Sequence, residues 1–312
     1  MSSRLGSLLY VAALVVVLGA GCAVPRAVPT VLTTPTVSVS VSEGITSPGI
    51  PTGSTLTAQP TSDTASLSVP RTTTARSTAV VSSSPTRATT SAAQGCGLPA
   101  ALLGKDLALV PGSAKVVALT FDAGANADGV PSILATLAGR QAPGTFFLTG
   151  AFVDAFPTES RKIAAAYPIG NHTQNHKDLT QLTTDGVRVE IRTGAASIQR
   201  VTGVNPRPYF RFPYGAVNAR TIATANAECY VPFRWTVDSW GWKGTAGGMS
   251  AEEVQRRVVG ALRPGAIVLM HVGSNPDDGT TFDANALPRI IDELRAQGYT
   301  LVTLERVLPA TP

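Results

Sequence analysis

Two histidines stand four residues apart in the segment His172-Thr-Gln-Asn-His176. Side chains at positions i and i+4 of a helix lie one turn apart on one face, and two imidazoles at that spacing suit a single metal ion. The same spacing also arises by chance, in which case both are ordinary surface histidines. The chain has only one other histidine, His271, and all three fall where predicted strands end. This scarcity favours a functional role. A protease of the HExxH type is excluded because residue 173 is threonine.

Three further residues with useful chemistry lie at strand ends. Asp122 is either a general base or metal ligand, or a carboxylate that caps a loop. Arg211 opens the segment RFPYG, which is either a turn built on proline and glycine, or an arginine that orients a carboxylate beside a backbone N–H able to bind an oxyanion. His271 ends an apolar run; it is either part of a buried strand or, more naturally, an acid or base.

The elements that must position these residues alternate along the chain. The sequence predicts strands at 115–121, 144–149, 169–171, 209–212, 230–237, 266–271 and 299–304. It predicts helices at 130–139, 159–167, 185–201 with an acidic cap, 218–227, 250–262 with a capping box, and 284–297. This alternation indicates an α/β fold with a parallel sheet, and about seven units predict a distorted (β/α) barrel that is TIM-barrel-like. Active sites of such barrels lie at the carboxyl ends of the strands, so we expect the residues above to converge there.

Five motifs together resemble the polysaccharide deacetylase family, also called carbohydrate esterase family four. They are TFDAG, HTQNH, RFPYG, DSWGW and LMH, which occur in the order and spacing of that family over about residues 115–305. The resemblance implies a distorted (β/α) barrel. It also implies metal-dependent removal of acetyl groups from N-acetylated sugars or from acetylxylan.

The resemblance implies roles for individual residues in catalysis. Asp122 corresponds to the general base, His271 to the general acid, and Arg211 to the arginine that holds the base. The backbone N–H of Tyr214 corresponds to the oxyanion donor.

Metal and substrate residues follow from the same resemblance. His172 and His176 correspond to metal ligands, and the expected cofactor is a divalent metal, Zn²⁺ first and Co²⁺ or another ion as the alternative. The pocket for the acetyl group corresponds to Pro213, Trp242 and Leu269.

Two positions depart from the family pattern. The family has a second Asp after the base as a metal ligand, and this chain has Ala123. Either water completes a site with two histidines, or another carboxylate reaches in, Asp128 being the nearest in sequence. In DSWGW the usual Asp before the last Trp is Gly241. That Asp pairs with the catalytic histidine in the family, so we assign this role to Asp238, the remaining carboxylate of the motif.

Composition divides the chain into three regions. Residues 1–22 form a predicted signal peptide, whose Leu-Gly-Ala-Gly-Cys22 ending resembles the lipobox of bacterial lipoproteins; an ordinary cleaved leader and an uncleaved anchor are the alternatives. Residues 23–95 contain 30 Ser or Thr, 8 Pro and no Phe, Trp or Tyr, which predicts a disordered linker. Residues 96–312 form the predicted catalytic domain. We therefore expect an exported protein tethered through lipid on Cys22 and facing the cell wall, or secreted if the leader is simply cleaved.

Two cysteines remain in the predicted catalytic domain, Cys96 and Cys229. Export favours a disulfide between them, the alternative being two unpaired buried thiols. A zinc cluster is disfavoured because neither cysteine has a partner in CxxC spacing.

Charge argues against nucleic acid as a partner. The formal net charge of +5 falls to +2 for residues 96–312, which carry 20 basic and 18 acidic residues and no run of Lys or Arg. The predicted function is hydrolytic removal of acetyl from N-acetylated cell-envelope glycans, by a monomer. The alternatives are a catalytically impaired glycan-binding lipoprotein, suggested by Ala123, and an O-deacetylase of acetyl esters.

Overall fold

The computed structural model describes residues 95–308. The predicted leader with Cys22, and the predicted linker up to residue 94, lie outside the described residues. Within residues 95–308, no helix combines the length and the apolar content that a membrane crossing requires.

Strand β1, Val116–Ala123, is the centre of the sheet and is buried along its whole length. Successive side chains of a strand point to opposite faces. Phe121 packs in the cluster between the sheet and its helices, whereas Ala118 packs in a second cluster on the concave face. Asp122 therefore lies on the same face as Ala118, toward the inside of the curved sheet.

All strand pairs are parallel, in the order β5-β4-β3-β2-β1-β7-β6, with β8 alongside the first half of β1. The remaining strands are β2 Thr145–Leu148, β3 Ile169–Asn171, β4 Tyr209–Phe210, β5 Val231–Pro232, β6 Val237–Asp238, β7 Ala266–His271 and β8 Thr300–Val302. The predicted distorted (β/α) barrel is confirmed. It is an incomplete one, because no ladder among the described residues joins β5 to β6.

The segment predicted as one strand at 230–237 is two short strands. Phe233 donates its backbone N–H to Phe210 of β4, and Thr236 donates its own to Ile267 of β7. The chain thus steps across the open seam between the two edges of the sheet, so a single straight strand cannot form there. An isolated bridge from Leu107 to Phe233 helps to cover the seam.

Helices cover the outer face of the sheet. They are α1 Val130–Gly139, α2 Gly150–Ala155, α3 Pro157–Ala166, α4 Thr184–Thr202, α5 Ala219–Ala227, α6 Ala251–Gly260 and α7 Phe282–Ala296. The acidic cap predicted for α4 is wrong: the Thr183 hydroxyl accepts from the N–H of Gly186, and Asp185 lies in the first turn. The Ser250 hydroxyl caps α6 by accepting from the N–H of Glu253, which is one half of the predicted capping box. Helix α2 was not predicted; it begins directly after β2, where the Thr149 hydroxyl accepts from the N–H of Phe152.

Candidate active site

A cavity of about 530 Å³ opens at the carboxyl ends of the strands. Its lining brings together residues from distant parts of the chain. They include Asp122, His172, His176, Tyr214, Trp235, Asp238, Trp242, Leu269 and His271. The convergence expected from strand ends is therefore present, and it includes all three histidines.

Asp122 is held by a fully buried arginine. Nη1 of Arg211 donates to Oδ1 of Asp122 at 2.7 Å, while Nε donates to the carbonyl of Phe233 at 3.1 Å. The guanidinium also lies 4.2 Å from the centre of the Phe147 ring. Burial acts to raise the pKa of the Asp122 carboxyl, but the charge of the Arg211 guanidinium outweighs it and holds that pKa below its usual value. Asp122 is thus ionised at neutral pH.

His172 offers a lone pair to the cavity. Its Nδ1 lies 2.8 Å from the backbone carbonyl of Arg211, which can only accept, so Nδ1 carries the proton. Nε2 then faces Oδ2 of Asp122 at 3.4 Å. Burial lowers the pKa of His172 despite the neighbouring carboxylate, which favours the neutral imidazole. Nε2 of His172 and Oδ2 of Asp122 are two electron-pair donors, and their separation suits a cation that lies close to both.

His176 reaches the same region from an irregular loop. Its ring centre lies 4.8 Å from that of His172 and 4.6 Å from that of Tyr214. Burial, followed by repulsion from His172, lowers the pKa of His176 to about 4. The helical turn assumed for this pair is wrong, because Thr173 and His176 both have left-handed backbone conformations.

Glu190 of α4 anchors the loop that carries these histidines. Its carboxylate accepts from the backbone N–H of Asn175 at 2.9 Å and from the Asn175 side chain at 3.0 Å. Lys177 lies 3.1 Å from the same carboxylate. The side chain of Glu190 is buried, so it acts as a fixed support for the loop. Sequence reasoning missed it; the one available signal was a carboxylate on the otherwise apolar face of a helix.

His271 is partnered by Asp283, which corrects the assignment of this role to Asp238. Oδ2 of Asp283, near the start of α7, accepts from the backbone N–H of His271 at 2.8 Å and lies 3.6 Å from its Nδ1. Asp238 lines the cavity, but its carboxylate caps its own loop by accepting from the N–H of Trp240 at 3.1 Å. Burial would lower the pKa of His271; Asp283, followed by Asp122 and Asp238, reverses this and raises it.

The predicted acetyl pocket is present in part. Trp242 and Leu269 line the cavity, and the Trp242 ring centre lies 6.3 Å from that of His271. Pro213 does not line it, since it is buried at the start of the 3-10 turn Pro213–Gly215. Tyr214 follows in a left-handed conformation, with its ring exposed against His176. Trp235 also lines the cavity, and the sequence analysis did not predict this.

The sequence offers Asp128 as a possible third metal ligand, but the structure does not bring Asp128 to the histidines. Its carboxylate instead accepts from the hydroxyl of Ser274 at 2.6 Å. Ala123 is buried in the hydrophobic cluster between the sheet and its helices, and it does not line the cavity. Across the part of the chain that the structure describes, no three His, Cys, Asp or Glu side chains form a group able to hold a metal ion.

Cys96 and Cys229 are joined by a disulfide, with their Cα atoms 5.3 Å apart. The bond ties the start of the folded region to the turn between α5 and β5. It lies away from the residues that line the cavity, so its role is structural.

The chain matches one known protein family and several of its members. The family described as polysaccharide deacetylase matches residues 110–231. The chain is 33% identical over 189 residues to a peptidoglycan-N-acetylglucosamine deacetylase of Bacillus cereus, a match that covers 60% of this chain and 66% of the relative. It is also 33% identical over 196 residues to a chitooligosaccharide deacetylase of Rhizobium leguminosarum bv. trifolii, covering 60% of this chain and 88% of the relative.

A solved structure of the same family has the same fold. It is a mutant, with restored enzymatic activity, of a carbohydrate esterase family four pseudoenzyme. The two chains are 27% identical and superpose with a TM-score of 0.60, over 66% of this chain and 72% of the other. Fold and site therefore define a (β/α) barrel of the carbohydrate esterase type. The chain belongs to the polysaccharide deacetylase family.

Proposed function

We propose that this protein is a hydrolase that removes acetyl groups from N-acetylated cell-envelope glycans, with Asp122 as the base and His271 as the acid. One observation carries the proposal. The two groups face one cavity, and their surroundings move their pKa values in opposite directions, so that the ionised form of Asp122 and the protonated form of His271 are both favoured. That is the division of roles an acid–base pair needs at neutral pH.

A divalent metal, Zn²⁺ or Co²⁺, fits the two imidazoles. His172 and His176 are neutral, and the Nε2 of His172 has no proton, which is the ligating form of histidine. They supply one protein ligand fewer than the usual catalytic zinc site. A metal held there would polarise the acetyl carbonyl and lower the pKa of water.

The residues of the chain account for the proton transfers. Asp122 takes a proton from the attacking water as its oxygen bonds to the acetyl carbon. The backbone N–H of Tyr214 donates to the carbonyl oxygen as negative charge develops there. His271 gives its proton to the departing nitrogen as the C–N bond breaks. The products are acetate and a free amine on the sugar; Asp122 and His271 then return to their starting forms by exchange with solvent.

Aromatic side chains around the cavity support a sugar as the substrate. The Trp242 ring is half exposed and the Tyr214 ring largely so, at 70%. Such rings offer flat apolar faces to a sugar ring. Relatives are named for peptidoglycan and for chitooligosaccharides, so N-acetylglucosamine units are the proposed target. Peptidoglycan is favoured because the predicted leader and linker would place the enzyme at the cell wall.

The proposed location follows from the sequence and the relatives. We propose an exported protein, held at the membrane through lipid on Cys22, with residues 23–95 as a spacer. It acts as a monomer on glycan, with no nucleic-acid partner.

A glycan-binding protein with impaired catalysis is the second candidate. It is supported by Ala123, by the two-histidine donor set, and by the similarity to a family pseudoenzyme. In that case the cavity would hold N-acetylglucosamine oligomers without cleaving them. An O-deacetylase of acetyl esters is the remaining alternative, because an ester fits the same acid–base pair.

Acetate release separates the three candidates. The full-length protein is incubated with N-acetylglucosamine oligomers, peptidoglycan and acetylxylan, with Zn²⁺, Co²⁺ or chelator, and its metal content is measured. Acetate and free amine in equal amounts from the amide substrates, dependent on metal, support the proposal. Oligomer binding without acetate or bound metal supports the glycan-binding protein, and release from esters alone supports the O-deacetylase.

A further inference from the structure

Gly241 stands where the family pattern has an aspartate, and its environment shows what occupies that space. A Cβ atom added at residue 241 would lie 2.6 Å from Cγ and 3.0 Å from the backbone nitrogen of Asp283. The backbone of Gly241 is not left-handed, so conformation does not require glycine here. The lack of a side chain is what admits the carboxylate of Asp283.

The Asp283 carboxylate is committed to His271. It is 3% exposed, and Oδ2 accepts from the backbone N–H of His271 at 2.8 Å. The same oxygen lies 3.6 Å from Nδ1 of His271, which is buried and has no other hydrogen-bond partner among residues 95–308. A small rotation of the imidazole would complete that hydrogen bond, and His271 lines the cavity.

We propose that Asp283 of α7 is the positioning residue for His271, replacing a carboxylate that the loop after β6 no longer supplies. This inference rests on the proposed function, in which His271 is the acid. Asp283 fixes the imidazole with Nδ1 protonated and stabilises its charged form, as carboxylates do for catalytic histidines. The absence of a side chain at residue 241 leaves the space that the carboxylate of Asp283 occupies.

The other titratable groups near His271 either have partners of their own or are neutral, so Asp283 is the group that positions His271. Asp122 on β1 is paired with Arg211, and Asp238 on β6 is engaged by the N–H of Trp240. His172 and His176 face the same cavity and are neutral. The pKa of His271 is raised by its neighbours, with Asp283 the foremost of them.

Imidazole NMR on the full-length protein tests the proposal without relying on turnover, because the chain has only three histidines to assign. In Asp283→Asn, which keeps the shape and the acceptor for the His271 N–H, we expect the pKa of His271 to fall by about one unit or more. The matched control is Asp292→Asn, a change on the same helix whose carboxylate pairs with exposed Arg140. That control leaves the His271 pKa in place. An unchanged His271 pKa in folded Asp283→Asn would overturn the proposal, whether or not the protein releases acetate.

A carboxylate placed at residue 241 tests whether Asp283 replaces the aspartate that the family has there. We expect Asp283→Ala to lower kcat by about tenfold or more with little change in KM, and to shift the loss of activity at high pH toward lower pH. Gly241→Asp alone crowds Asp283 and also lowers kcat. The double variant Gly241→Asp/Asp283→Ala restores a carboxylate beside His271 and recovers activity several-fold over Asp283→Ala. A folded double variant no more active than Asp283→Ala would contradict this replacement. If the wild type proves inactive, the proposed function fails, and the histidine titration still decides the role of Asp283.

Discussion

Asp122 and His271 are paired across neighbouring strands, yet their surroundings differ. On the Asp122 side, Arg211 donates to the carboxylate and to two backbone carbonyls, so each nitrogen of its guanidinium has an acceptor. On the His271 side, Nδ1 of His271 and Oδ1 of Asp283 are buried and have no hydrogen bond to any residue that the structure describes.

The two sides differ in how many contacts hold the reacting group in place. The base is fixed by residues that lie within strand-end motifs, where one substitution breaks several contacts. The acid is supported by a single carboxylate, which a neighbouring element can supply if space is left for it. Here Gly241 leaves the space, and Asp283 of α7 supplies the carboxylate.

The largest expected effect comes from breaking the base side. Arg211→Met leaves Asp122 buried without its cation, so we expect a loss of about 3–5 kcal/mol in the free energy of unfolding, measured with denaturant. The control is Arg140→Met, which breaks the exposed pair with Asp292 and should leave the unfolding curve unchanged within error. Equal effects of the two variants would contradict the special status of the buried pair.

Loosening the histidine loop should have the next largest effect. Glu190→Gln removes an acceptor from Asn175 and the charge facing Lys177, so the left-handed turns lose their anchor. We expect about 10- to 100-fold weaker binding of Zn²⁺, measured by competition with a chromogenic chelator. Glu293→Gln, on the exposed side of α7, serves as the control. Unchanged zinc affinity in Glu190→Gln would show that the loop holds its shape without this support.

The pH dependence of stability sharpens the same contrast. Because the pKa of Asp122 is lower in the folded state than its usual 3.8, its charge stabilises the fold above that value, and this contribution is lost as pH falls through the folded pKa. Unfolding followed by circular dichroism from pH 5 to pH 2 should therefore show a smaller loss of stability in Asp122→Asn than in the wild type. The contribution of His271 has the opposite sign: it is present below pH 6.5 and lost as pH rises through the raised pKa. A parallel acid dependence in the two proteins would contradict the assignment to Asp122.

The smallest effect is expected on the wall of the cavity. Trp242→Ala removes a half-exposed ring beside His271, so we expect KM for N-acetylglucosamine oligomers to rise about fivefold, equivalent to about 1 kcal/mol, with kcat nearly unchanged. Trp240→Ala is the matched control. Its ring is held by Arg257 at 3.3 Å and Lys243 at 3.6 Å, and it does not line the cavity. A similar rise in KM for both variants would remove Trp242 from the substrate wall.

Much of the fold was predictable because buried apolar runs mark parallel strands. Strands β3 and β7 and helix α1 have the predicted bounds, and the polar residues at the ends of β1 and β7 converge as parallel topology requires. The split between β5 and β6 was not predictable, since it arises from a step across the seam between two sheet edges.

Asp283 could not be found from the sequence, for a physical reason. An acidic residue in the first turn of a helix is common because its negative charge interacts favourably with the helix dipole. Asp283 lies in such a first turn, and no neighbouring residue in the sequence marks it for a different role. Asp128 and Asp238 were chosen because they lie close along the chain to the positions that needed a carboxylate. Distance along the chain says little about which loops meet at the mouth of a barrel. The lipid on Cys22 and the linker at 23–95 remain predictions.

The most direct test of the central claim compares the wild type with Asp122→Asn by kcat/KM for acetate release from N-acetylglucosamine oligomers at neutral pH. Asn has the shape of Asp but cannot accept the proton of water, so we expect a fall of about 1,000-fold or more in a variant that remains folded. Wild-type turnover by folded Asp122→Asn would contradict the central claim.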